Sequence, residues 1–262
     1  GILALSFKKM QISINNLIHE LKDINQNLEN KVAERTVELQ RQKEMVEDKN
    51  KEIVDSINYA KRLQNAILPT MDKVKSALPE SFILFKPKDI VSGDFYWMHQ
   101  ENELILIAAV DCTGHGVPGA MVSVVGANAL DRCVKEFKLT NPARVMDKMS
   151  ELVQETFATT SNDVKDGMDM TLCSIDLKKR EIVFAGANNP LWIVRAESKS
   201  VEEIKADKQP IGHFDFRTQF TPHNIQLNAG DCIYLLSDGY ADQFGGPEGK
   251  KFKYKTLREL LQ

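Results

Sequence analysis

Apolar residues at the start of the chain fall on a seven-residue repeat. Leu3, Phe7, Met10, Ile14, Leu17, Leu21, Ile24 and Leu28 keep a 4-3 spacing, the a/d seam of a coiled coil over about four heptads. From Leu21 through Ile24 and Leu28 to Val32 the spacing becomes 3-4-4, a stutter that locally unwinds a supercoil. Leu39, Val46, Ile53, Ala60 and Ile67 then continue at seven-residue intervals, but Lys43, Asn50 and Gln64 fill the alternate positions. A firm seam joined to a weaker one suits an element that dimerises and passes on a change of register. Pro69 ends this helix, because it disfavours helical geometry in Leu68 before it. Pro79 closes a short linker, so the expected division is a coiled-coil helix over 1–68, a linker over 69–81 and a globular domain over 82–262.

Beyond Phe82 the pattern changes. Leu104–Val110 is an aliphatic run of strand length, and the apolar stretch before it pairs with it through a short polar turn. Val117–Phe137 reads as a buried helix rich in small residues, and a second helix opens at Asn141-Pro142. After a polar loop over Thr159–Asp166, strands are predicted at Met170–Leu177, Glu181–Ala187, Leu191–Arg195, Gln219–Leu227 and Asp231–Leu236. The break at Lys178–Arg180 reads as a hairpin turn, and the ending LRELLQ as a helix. Strands, two helices and more strands make an α+β fold in which helices cover antiparallel sheets.

Composition narrows the possible functions. The 34 basic and 37 acidic residues give a net charge of −3, which offers no general footprint for nucleic acid. Cys112, Cys133, Cys173 and Cys232 lie far apart, without zinc-type spacing. They read as small core residues in a reducing, cytoplasmic setting. No stretch is long enough to span a bilayer. The opening GILALSF lacks an initiator methionine, so the chain is expected to be the cytoplasmic part of a longer protein with an upstream sensor or membrane segment.

The chemistry concentrates at three aspartates. Asp94 and Asp111 stand at the ends of the two paired segments, and Asp111 is followed by the small residues CTGHG. Asp238 repeats the design after the strand in DCIYLLSDG. Carboxylates at strand ends beside glycine-loosened loops suit hard divalent cations. Lys86 and Lys88, flanking Pro87, are candidate point charges for a substrate phosphate, solvated lysines being the plain alternative. Asn188 and Asn189 in GANNP are expected to shape a turn near the site, with Asn188 a candidate substrate contact. His19, in HELK within the coil, offers a competing reading as the phospho-accepting residue of a histidine-kinase stem. It lacks the usual following proline and any glycine-rich nucleotide boxes downstream.

VSGDFY, DCTGHGVPGA, AGANNPLW, QPIG and LLSDGYADQF, in this order, resemble the motifs of the sporulation-stage-II-E-like bacterial branch of the metal-dependent type 2C protein serine/threonine phosphatases. The resemblance covers roughly Phe82 to Phe244. It implies a four-layer αββα sandwich and two Mn²⁺ or Mg²⁺ ions, with a third held more loosely. It also implies hydrolysis of phosphoserine or phosphothreonine on a signalling protein, an anti-sigma-factor antagonist being the usual class, by attack of a metal-activated water. By this similarity Asp111 bridges the ions, Cys112 contributes its backbone carbonyl, Asp94 and Asp238 hold one ion each, and Asp169 is the candidate for the loose one. The eukaryotic proton donor falls at Thr113 in this chain, so His115 is assigned a structural part at the start of the following helix. The coil is expected to form a homodimer and to regulate the domain. No final aspartate-bearing strand of the family follows Asp238, so the domain is expected either to be cut short or to lack that strand, and in the latter case one ion would bind weakly and activity would be low. The same fold serving as a catalytically weak scaffold is the alternative.

Overall fold

The structure is a computed structural model that describes residues 1–158, 166–247 and 249–262. Of the predicted polar loop, residues 159–165 lie outside the described residues. The chain divides into two compact units, Gly1–Ser56 and Ile57–Gln262.

From Ile2 onward the first unit is helix, part of α1 (Ile2–Ile67). Its seam residues from Leu3 to Val32 are all exposed.

The second unit begins with the last turns of α1 and continues through the short helix α2 (Met71–Ala77), strands β1 (Phe95–Glu101) and β2 (Leu104–Cys112), and helices α3 (Gly116–Lys135) and α4 (Pro142–Ala158). Next come β3 (Gly167–Asp176), β4 (Glu181–Ala187), β5 (Leu191–Val194), β6 (Val201–Ile204), β7 (Ile211–Gly212), β8 (His223–Gln226) and β9 (Cys232–Leu235). The small hairpin of β10 (Phe244–Gly245) and β11 (Lys250–Lys251) leads to α5 (Lys253–Leu261).

The strands form a larger antiparallel sheet of order β1-β2-β3-β4-β8, with β7 also pairing β3, and a smaller one of order β6-β5-β9. Period-two alternation shows how the layers stack. On β2 and β3, Leu106, Ala108 and Val110 with Met168, Met170 and Leu172 join the core that holds Leu130, Met146, Met149 and Val153 of α3 and α4. Their neighbours Cys173 and Ile175 turn the other way and meet Leu191 and Ile193 of the smaller sheet, with Ile182 and Phe184. Trp192 points away from that interface and packs with Val201 and with Leu257 of α5. The layers therefore run helices, larger sheet, smaller sheet, helix, the four-layer αββα sandwich implied by the motifs.

The region expected to be a linker carries α2, whose Val74 and Ala77 pack with Met98 and Ile105. Thr70 caps this helix, its hydroxyl accepting from the Lys73 N–H at 3.4 Å. The short strands β6 and β7 have no sequence prediction because they are too brief to show a period. Three of the four cysteines are buried as expected, whereas Cys232 is exposed. No helix among the described residues is long and apolar enough to cross a membrane.

Candidate metal centre

The alternation that builds the core also places the acids. On β2 the even-numbered residues face the helices, so Asp111 faces the gap between the sheets. Asp169 pairs with it directly across β3 and has the same orientation. Phe95 pairs with Val110, which sets Asp94, one residue earlier, beside Asp111 at the same edge. Asp238 approaches from the smaller sheet, in the turn that follows β9. Four carboxylates from four chain segments thus meet at one end of the inter-sheet layer.

Their electrostatics follow from burial and mutual repulsion. Burial, reinforced by the charges of Asp94, Asp238 and Asp169, pushes the Asp111 carboxyl up to about 8. Asp238 is raised by burial and then by nearby Asp242. Asp169 is raised chiefly by burial, against the opposing hydrogen bond from Asn188. Tyr254 of α5 is 39% exposed near these acids, and partial desolvation followed by the charges of Asp238, Asp242, Asp111 and Asp169 raises its hydroxyl to about 12.

Neighbouring groups fix the geometry. The Ser237 hydroxyl donates to Asp94 Oδ2 at 2.6 Å, joining the two sheets at the site. Gly93 runs so close to the loop after β2 that a Cβ there would lie 2.6 Å from the Gly114 carbonyl oxygen and 3.1 Å from that of Cys112. Only glycine permits that approach. The Thr113 hydroxyl donates to Asp166 Oδ1 at 2.9 Å and accepts from the Gly167 N–H at 3.2 Å, which ties the loop to the start of β3.

The other predicted residues lie beside the acids or on the nearby surface. Asn188, in the left-handed region with φ 57°, donates its amide to Asp169 Oδ1 at 2.8 Å. Its side chain orients a carboxylate and is thereby engaged within the protein. Lys86 and Lys88 are exposed on the segment before β1 and make no hydrogen bond or ion pair among the described residues. His115 stands at the N-terminal boundary of α3 without capping it, and its Nδ1 lies 3.0 Å from Asp89 Oδ2 on an exposed surface. Sequence reasoning missed Ser237 and Asp242, whose only signal is their place beside Asp238 in LLSDGYADQF, and Tyr254, which carries none.

The donor set fits hard divalent cations. It offers only carboxylate and carbonyl oxygens, and burial raises the Cys112 thiol far above its ordinary value, keeping it a neutral core group. The mutual repulsion of the acids is the kind that bound cations relieve. Among the described residues no three His, Cys, Asp or Glu side chains already converge as a ligand set. Mg²⁺ and similar ions keep several waters and take few direct carboxylates, so such convergence is not required.

Fold and acid cluster together define a protein of the type 2C phosphatase kind. The sequence model of the family Stage II sporulation protein E (SpoIIE) matches residues 101–262, and the chain belongs to that family. It is similar to the SiaA-PP2C domain of Pseudomonas aeruginosa, with 32% identity and a TM-score of 0.70 over 81% of this chain and 82% of that one. The RsbU and RsbW domains of Rv1364c from Mycobacterium tuberculosis share the fold at 19% identity and a TM-score of 0.52, over 66% of this chain and 46% of that one. Phosphoserine phosphatase RsbU of Bacillus subtilis (strain 168) is 25% identical over 195 residues, covering 73% of this chain. The match takes in 55% of RsbU, so the chain spans about half the length of that curated relative.

Proposed function

We propose that this chain is a metal-dependent protein serine/threonine phosphatase acting on a phosphorylated signalling protein. The observation that carries the reading is the meeting of Asp94, Asp111, Asp169 and Asp238 at one end of the sandwich in a member of this family. The similar protein of B. subtilis is a phosphoserine phosphatase, which supports the same substrate class here.

Asp111, Asp94, Asp238 and the Cys112 backbone carbonyl are the groups that would hold the ions, with Asp111 at the centre of the set and Asp169 available to a looser ion. Bound Mn²⁺ or Mg²⁺ supplies an acidified water and charge stabilisation for in-line displacement at a phosphomonoester. The chain's own residues then have three tasks. Ser237 holds Asp94 in place, Asn188 holds Asp169, and the close approach of Gly93 to Gly114 keeps the β1 and β2 ends at fixed spacing. Lys86 and Lys88 are free to meet a substrate phosphate from the exposed segment before β1.

The proposed organisation is a regulatory coil over 1–68, a connecting segment over 69–81 and a phosphatase domain over 82–262. The exposed seam from Leu3 to Val32 supports a homodimer. An anti-sigma-factor antagonist in the cytoplasm is the proposed substrate and setting. Family membership favours this reading over a phospho-accepting His19. The catalytically weak scaffold stays as the second reading, because among the described residues no three His, Cys, Asp or Glu side chains are placed as a finished ligand set.

Hydrolysis of p-nitrophenyl phosphate and of a phosphoserine peptide, with and without Mn²⁺, tests the proposal. Mn²⁺-dependent turnover that Asp111→Asn reduces by at least ~100-fold is expected. Mn²⁺ binding without turnover on either substrate would favour the scaffold.

A further inference from the structure

Gln64 is one of only a few buried polar residues among those described, at 4% exposure, and it lies in the last turns of α1 within the second unit. Its amide is fully used. Nε2 donates to the Ser92 carbonyl at 2.5 Å and to the Ser123 hydroxyl at 2.9 Å, while Oε1 accepts from the Ser92 N–H at 3.1 Å. Ser123 is itself fully buried in α3, and its hydroxyl donates to the Ala120 carbonyl at 2.7 Å. Gln64 therefore pairs with both backbone groups of Ser92 as a neighbouring strand would, in a place where no strand runs.

Ser92 is two residues before Asp94. On the C-terminal side, the pairing of Phe95 with Val110 fixes Asp94. On the N-terminal side, Gly93 is pressed against the Gly114 and Cys112 carbonyls, and the Ser92 backbone has Gln64 as its partner. A long polar side chain is costly to bury unless each polar atom is satisfied. A Met or Leu would fill the same volume without that demand, so packing alone does not explain a glutamine here.

We propose that Gln64 is a positioning residue for the metal centre, holding the Ser92–Asp94 backbone so that the Asp94 carboxylate stands at its working place beside Asp111. This inference rests on the metal-site reading above. Outer partners of metal ligands set affinity by orienting the ligand, and their loss weakens binding by about 10- to 100-fold.

The test is calorimetric titration of Mn²⁺ into the wild-type chain, Gln64→Met, Gln64→Glu and Met149→Ala, with a melting curve of each metal-free protein. Met149 is fully buried against the helix layer, and its truncation reports general destabilisation. Gln64→Met is expected to weaken Mn²⁺ about tenfold or more, whereas Met149→Ala lowers the melting temperature and leaves Mn²⁺ affinity within about twofold. Gln64→Glu keeps an acceptor for the Ser92 N–H and loses the donor to its carbonyl, so an intermediate loss is expected; it also decides the matter if Gln64→Met does not fold. Wild-type affinity in both Gln64 variants overturns the inference, as does an equal loss in Met149→Ala. A wild-type chain that binds no Mn²⁺ sinks the metal-site reading itself and takes the inference with it.

Discussion

Asp111 shows how one residue can weaken the fold it serves. Its ionised form is disfavoured by burial and by Asp94, Asp238 and Asp169, so the native state holds its proton more tightly than the unfolded chain, where a carboxyl titrates near ~3.9. The resulting stabilisation is present below that unfolded value and is lost as pH rises toward about 8. The metal-free protein should accordingly melt at a lower temperature at about pH 8 than at about pH 5, and Mn²⁺ should restore it. Asp111→Asn should flatten the pH dependence, which scanning calorimetry in a chelator checks directly. Gly93 carries the opposite kind of constraint. The approach to Gly114 that excludes a Cβ leads to a second expectation: Gly93→Ala pushes the two ligand-bearing segments apart and lowers activity by at least ~10-fold, with a modest fall in stability. Kinetics at saturating Mn²⁺ and a thermal melt separate the two effects.

The strands carry two cores at once, so each is sensitive on both faces. β4 shows this best: Ala185 and Ala187 face the helices while Ile182 and Phe184 face the smaller sheet. Phe184 is fully buried and stacks against His223 with ring centroids 5.7 Å apart. Phe184→Ala should cost about 3–5 kcal/mol, read as a lowered urea midpoint with an unchanged slope. At this scale much was legible in the sequence. β2, β3, β4, α3 and α4 all fall where hydrophobic runs or helical spacing predict them, because each buries enough apolar surface to print a period. The two-residue strands do not: Ile211 is fully buried in the helix-side core, but Ile211–Gly212 is too short to show a period. Gln64 is the instructive miss: heptad counting makes it a polar flaw in a coil seam, yet it is buried and satisfied within the second unit. A single-chain pattern cannot distinguish a helix face that meets a second helix from one that meets a sheet domain.

For the whole molecule, the exposed seam of the first unit and the compact second unit make separate expectations. Leu17→Lys with Leu21→Lys places charges on adjacent seam positions that are now exposed and apolar. It should convert a dimer to a monomer in sedimentation experiments while leaving the Mn²⁺ affinity of the second unit unchanged. Sequence alone determined the long helix and the α+β class and singled out Asp94, Asp111, Asp238 and, by resemblance, Asp169 as candidates, because periodicity and motif order are local properties that survive in one dimension. Tertiary structure decided which acids share a field, that Asn188 and Ser237 orient Asp169 and Asp94, and that Gln64 reaches Ser92. These depend on strand register and on the stacking of two sheets, which bring together residues as distant as Asp94 and Ser237. No pattern along the chain encodes that distance, because the contact exists only once the buried faces have chosen their partners.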